Sequence, residues 1–194
     1  MLSMKTAHSE LIEMVKDKIV AALKGTGDLV QATAETASQI PAITIMDTRQ
    51  VGNSVTEAIA NVASRLVRGA VRIGADLEYA AKGIMVGVLR GTNEAGTEVL
   101  NTISHAAQVT IRDTVAAGAD VGAAATGLVA GAIQGAGELG ISAENAAAAA
   151  AAGALKAAGE VGSTVFDTVR KVVTQPVTGV KVVLKEPETA LLSK

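Results

Sequence analysis

Apolar positions along this chain recur with a 22-residue period, in one phase from near position 22 almost to the C-terminus. Nine-residue windows starting at positions 22, 44, 66, 88, 110, 132, 154 and 176 read ALKGTGDLV, TIMDTRQVG, LVRGAVRIG, VLRGTNEAG, TIRDTVAAG, AIQGAGELG, ALKAAGEVG and PVTGVKVVL. The second position is always aliphatic: Leu23, Ile45, Val67, Leu89, Ile111, Ile133, Leu155 and Val177. The ninth is Gly in six consecutive windows: Gly52, Gly74, Gly96, Gly118, Gly140 and Gly162. Twenty-two is twice eleven, and eleven residues over three turns is about 3.67 per turn, close to an α-helix. A strand needs period two, which is absent. The pattern predicts an all-α chain.

Folded onto eleven positions counted from residue 22, position eight carries only apolar residues, among them Val51, Val62, Ile73, Ile84, Leu128, Leu139, Val161 and Val172. Positions four, eight, one, five, nine and two are neighbours on a wheel of about 98° per residue. They form one wide face of Ala, Gly and Val. Positions six, ten, three, seven and eleven form the polar side. Position three holds Lys24, Arg68, Arg90, Arg112 and Lys156, and position seven holds Asp28, Glu94, Glu138 and Glu160. The pairs Lys24–Asp28, Arg90–Glu94 and Lys156–Glu160 have the i, i+4 spacing that puts them within reach on one helix surface. A face this wide exceeds a two-stranded seam and fits a helix with two neighbours, in a bundle, barrel or layer. An eleven-residue repeat predicts straight or slightly right-handed winding. Glycine inside a helix costs about 1 kcal/mol relative to Ala. The position-nine glycines are therefore expected to compensate by close helix–helix approach, together with the position-eight residues.

Three prolines mark candidate boundaries: Pro41, Pro176 and Pro187. Proline disrupts a helix interior. The expected organisation is an N-terminal helix over 1–40, a long repeat helix over 44–175, kinked or unkinked, and a tail over 176–194 that is partly extended or disordered. Thr44 or Asp47 is placed to cap the restart. If continuous, the stretch from residue 48 to 174 would be about 190 Å long. Whether Pro41 makes a kink or a hairpin is open at this point.

Composition narrows the function classes. Of 194 residues about half are apolar, but there is one Phe, one Tyr and no Trp, so the chain suits many small contacts rather than a thick core. A net charge near −2 with interspersed signs argues against nucleic acid as a partner. There is no cysteine, which excludes disulfides and thiolate metal sites. The first residues lack a secretory apolar core, which favours a cytoplasmic or peripherally membrane-associated location. The uncharged stretch 121–137 is mostly Ala and Gly and reads as a helix-packing segment ahead of a membrane span.

No chemistry-bearing constellation emerges, so neither an enzyme, a cofactor nor a metal is expected. GAGELG at 135–140 matches a dinucleotide pattern but follows no strand. His8 and His105 lie far apart in the chain. Asp113, Asp120, Glu138 and Glu144 fit a solvated face. Tyr79 and Phe166 are single aromatics suited to packing. The alanine run 146–152 is a strong helix former.

The 22-residue register over about 22–175 resembles the hendecad coiled coils. Motifs such as AIQGAGELG and ALKAAGEVG are also loosely similar to the eleven-residue repeats of synucleins, perilipins and phasins. The first resemblance implies long hendecad helices packed with other copies of the chain in a multi-helix homo-oligomer. The second implies an amphipathic helix that coats a lipid, membrane or polyester-granule surface. The leading expectation is a structural, self-assembling protein whose partner is itself. Surface coating comes second, and an oligomeric membrane pore built on 121–137 third.

Overall fold

Among the described residues, the 22-residue module is a helix and the short connection that follows it. A computed structural model describes residues 55–182, apart from residue 73 and residues 96–98. Six helices follow one another: α1 Val55–Arg72, α2 Leu77–Ala95, α3 Val99–Ala116, α4 Val121–Leu139, α5 Ala143–Val161 and α6 Ser163–Val173. The chain is all-α, as its period predicts. The first five helices start at Val55, Leu77, Val99, Val121 and Ala143, one per module. The continuous helix expected over 44–175 is replaced, within the described residues, by this series of helices and turns.

The turns have a shared cause in the sequence. Gly74, Gly118 and Gly140 take φ of +67°, +66° and +69°, the left-handed conformation that L side chains disfavour. After Gly118 the chain closes a Schellman motif. The Gly118 amide donates to the Val115 carbonyl at 2.9 Å, and the Ala119 amide to the Thr114 carbonyl at 3.0 Å. Gly74 and Ala75 repeat it with Val71 and Ala70, and the Ile141 amide donates to the Ala136 carbonyl at 3.0 Å. Two positions after each glycine a short polar side chain restarts the helix. Asp120 accepts from the Ala123 amide at 3.0 Å, Ser142 from the Asn145 amide at 3.2 Å, and Asp76 from the Glu78 amide at 2.9 Å. These caps satisfy amides that a helix start leaves unpaired.

Every described helix packs on the next helix and on the next but one, and on no others among the described residues. The α2–α4 contact is the most extensive and α3–α5 follows it. The short turns before α2, α4 and α5 make each of these helices antiparallel to the one it follows. α2 and α4 run parallel, as do α3 and α5, as the residue pairs in the next subsection show. The result is two layers, α1, α3 and α5 in one and α2, α4 and α6 in the other, with the core between them. This is the nearest-neighbour logic of repeat arrays. The part of the core that α4 and α5 supply is made mostly of small side chains. In α4 it takes Gly122, Ala124, Ala125, Gly127, Leu128, Val129, Gly131 and Ala132, and in α5 Ala146, Ala147, Ala150, Ala151, Ala154, Ala157 and Ala158. A smaller cluster of Ala70, Leu77 and Ala80 packs with Ala75, Ala119 and Ala123, tying the turn after α1 to the turn after α3.

After α6 the chain makes a tight reversal. Thr178 and Gly179 both have positive φ, +47° and +81°, and Val177 and Val180 exchange backbone hydrogen bonds of 3.0 and 2.9 Å. This is type I′ geometry. Val177 and Val182 are buried against the core, so the first part of the expected tail is packed. Residues 1–54, with Pro41 and the expected N-terminal helix, and 183–194 lie outside the described residues. No helix among the described residues is long and apolar enough to cross a membrane, α4 included.

Candidate functional site

The sequence nominates a helix-packing surface, and the structure resolves its two halves differently. Of the position-eight residues, Val62, Ile84 and Leu128 at mid-helix are buried in the core of the single chain. Leu139 and Val172 are half-buried against the same core. Val161 is not packed; it is 44% exposed at the end of α5. Val51 and Ile73, like Gly52 and Gly96, lie outside the described residues.

The position-nine glycines require a correction. Gly74, Gly118, Gly140 and Gly162 stand between helices, and an added Cβ would meet nothing within 4 Å at any of them. They are selected for backbone conformation, not for close approach. Close approach belongs to other glycines. A Cβ at Gly131 would lie 2.5 Å from the Lys82 carbonyl oxygen and 2.8 Å from the Met85 Cβ. A Cβ on Gly127 would collide with the Glu78 carbonyl, one on Gly153 with the Ser104 carbonyl, and one on Gly135 with the Leu89 side chain. Gly127, Gly131 and Gly135 are spaced by four, so they line one stripe of α4 facing α2. This is small-xxx-small packing, in which the absence of a side chain brings two backbones together.

Two of these contacts are one contact repeated. Gly131 rests on Lys82; one module later, Gly153 rests on Ser104. Ion pairs repeat in the same way. Arg90 forks onto Glu138, with Nε donating to Oε2 at 2.7 Å and Nη2 to Oε1 at 3.0 Å. Arg112 grips Glu160 one module later, its Nε donating to Oε2 at 3.0 Å. Both pairs have a sequence separation of 48 and join parallel helices, α2 to α4 and α3 to α5. Arg90 and Glu160 thus engage partners on another helix, while the Glu94 side chain expected beside Arg90 lies outside the described residues. Arg68 reaches Asp113 of α3 at 3.4 Å, and the Ser64 hydroxyl also donates to Asp113.

GAGELG occupies the C-terminal end of α4, where Gly135 is buried, Gly137 exposed and Gly140 the cap. Phosphate binding uses a helix N-terminus. Among the described residues no three His, Asp or Glu side chains are grouped to hold a metal ion. Asp113, Asp120 and Glu138 serve a helix contact, a cap and a helix clamp. His105 and Phe166 are half-buried on α3 and α6, while Tyr79 is 54% exposed on α2. His8 lies outside the described residues. No protein-family model matches the chain, and no curated protein does.

Proposed function

We propose that the protein is a structural, non-enzymatic repeat protein that associates with copies of itself. The observation that carries this reading is the recurrence of one contact, Lys82 on Gly131 and Ser104 on Gly153, with its accompanying Arg–Glu clamp. The pairs α2–α4 and α3–α5 are thus joined by the same operation. Such an operation does not close on itself, so an array of this kind presents at its two ends surfaces built to the same register. Surfaces of that kind favour heterologous association between copies. The 22-residue register is used here between helices of one chain, and continuing it between chains needs no new type of contact.

Sedimentation equilibrium of the full chain over a wide concentration range tests the reading. The expected result is a mass above that of one chain, rising with concentration. A single-chain mass throughout overturns it. The alternative of a coat on a lipid or granule surface has less support, because the Ala/Gly face it would bury in lipid is already buried between the chain's own helices. Circular dichroism with and without vesicles separates the two. Helicity unchanged by lipid agrees with self-association, and helicity gained only on lipid reverses the order.

A further inference from the structure

The junction between α5 and α6 is unlike the other described turns. Gly74, Gly118 and Gly140 are each followed by one residue and then a capping Asp or Ser, so each turn has room to stop one helix and cap the next. Gly162 alone separates α5 from α6, with φ +154° and ψ 168°. No side chain caps the start of α6. The two hydrogen-bond ladders abut there. The Gly162 amide donates to the Ala158 carbonyl at 3.1 Å, and the Phe166 amide to the Gly162 carbonyl at 3.0 Å. A helix running straight through would add the bonds from the amides of residues 163–165 to the carbonyls of 159–161.

The sequence is in phase for that straight form. Ala154, Ala158, Val161, Val165, Val169 and Val172 are spaced by three or four, one apolar stripe across the junction. Val161, a member of that stripe, is 44% exposed in the bent form. α6 itself is a detachable unit: among the described helices it touches only α4 and α5, with Val169 and Val173 buried and a polar outer side. A one-residue connection held in a conformation open mainly to glycine is the kind of hinge that invites exchange between copies.

We propose that α5 and α6 straighten at Gly162 into one helix and that α6 docks on the α4–α5 surface of a second copy, which returns its own α6. The contacts of α6, and those of Val177 and Val182 that follow it, are kept in kind; only the hinge changes. This deepens the self-association reading and rests on it, naming the exchanged element and the surface that receives it.

The chain has no cysteine, which makes the test direct. A Cβ at Gly122 of α4 would lie 3.6 Å from the Thr168 Cγ2 of α6, in van der Waals contact, so cysteines at the two positions would meet across the α4–α6 contact. Full-length chains carrying Gly122→Cys alone and Thr168→Cys alone are unfolded together, refolded and oxidised, in the native background and with Gly162→Ala. Exchange yields a 122–168 disulfide between the two chains, and Gly162→Ala, which disfavours the bend, raises its yield several-fold. A five-residue Gly/Ser insertion after Gly162 should abolish the inter-chain disulfide, while a chain carrying both cysteines with that insertion still closes it internally. An oligomer of native mass that gives no inter-chain 122–168 disulfide overturns the exchange and leaves self-association standing. A single-chain mass in both backgrounds, with only internal closure in the doubly substituted chain, overturns both.

Discussion

Two sets of glycines in this chain do opposite work. Gly74, Gly118 and Gly140 recur at the 22-residue interval or its multiple and are exposed at turns, where their positive φ lets a helix stop. Gly127, Gly131 and Gly153 are buried in helix interiors, where their missing side chain lets a neighbouring backbone sit against them. The first set marks the period. The second does more to hold each layer together, since three of the parallel-helix contacts have a carbonyl where a Cβ would go. Periodicity of a residue type therefore says that a position is repeated and not what the position does.

Substitution by alanine separates the two sets, and the close-packed set should give the largest effect. A Cβ at Gly131 meets backbone on one side and the Met85 side chain on the other, so α2 and α4 must move apart. Gly131→Ala should cost about 1–3 kcal/mol, the range for overpacking a well-packed core. Adding Gly127→Ala should cost more, because both clashes fall on the same parallel pair. Urea denaturation reads the loss as a lower midpoint. A change in stability near zero would mean that the α2–α4 approach is not close.

Gly140→Ala comes next. Space is open there, but φ of +69° places the new Cβ against the following carbonyl. The expected cost is about 1–2 kcal/mol, and Gly140→Asn should recover part of it, because Asn tolerates the left-handed region. Recovery by Asn is the discriminating result, since a steric contact would penalise Asn more than Ala. Gly137, three positions earlier and inside α4, has neither constraint: no neighbour lies within 4 Å of its Cβ position and its φ is not positive. Gly137→Ala should stabilise the protein by about 0.5–1 kcal/mol through helix propensity. The three substitutions thus predict two losses of different cause and one gain from the same residue exchange.

How far the sequence reveals this follows from arithmetic. Six helical turns at about 3.67 residues each make one repeat. A helix such as α1 (18 residues) or α2 (19 residues), together with a short turn, fills the same length. The apolar phase therefore carries across each break as though the helix had never stopped. That is why all-α structure and the burial of Val62, Ile84 and Leu128 are legible from the period, while the breaks are not. The breaks have a signal of another kind. Gly74-Ala75-Asp76, Gly118-Ala119-Asp120 and Gly140-Ile141-Ser142 each place a C-cap glycine two positions before an N-cap side chain, as helix stop and start signals do. The ion pairs hide for a related reason. Positions three and seven are four apart within a module and 48 apart across two modules, and the repeat makes the two readings identical on paper. Only the parallel packing of alternate helices decides that Arg90 takes Glu138.

The smallest expected effect tests that last point and depends on pH. Hydrogen bonds from Arg90, and secondarily from Gln134, hold the Glu138 carboxyl below the usual carboxylate range, against the opposing effect of partial burial. A carboxylate depressed by folding adds stability that is present above its unfolded pKa, about 4.3, and is lost as pH falls through the lower folded value. Glu138→Gln should therefore weaken the protein at pH 7, and the difference from the native chain should shrink as pH falls below about 4. Both partners keep 33% side-chain exposure, so solvent screening limits the effect to under about 1 kcal/mol. A double-mutant cycle with Arg90→Gln isolates the coupling. Coupling that vanishes at low pH and in high salt assigns the clamp to charge between α2 and α4. Coupling that persists under both would instead assign it to the packing of the two side chains, and the parallel helices would then owe their register to the glycines alone.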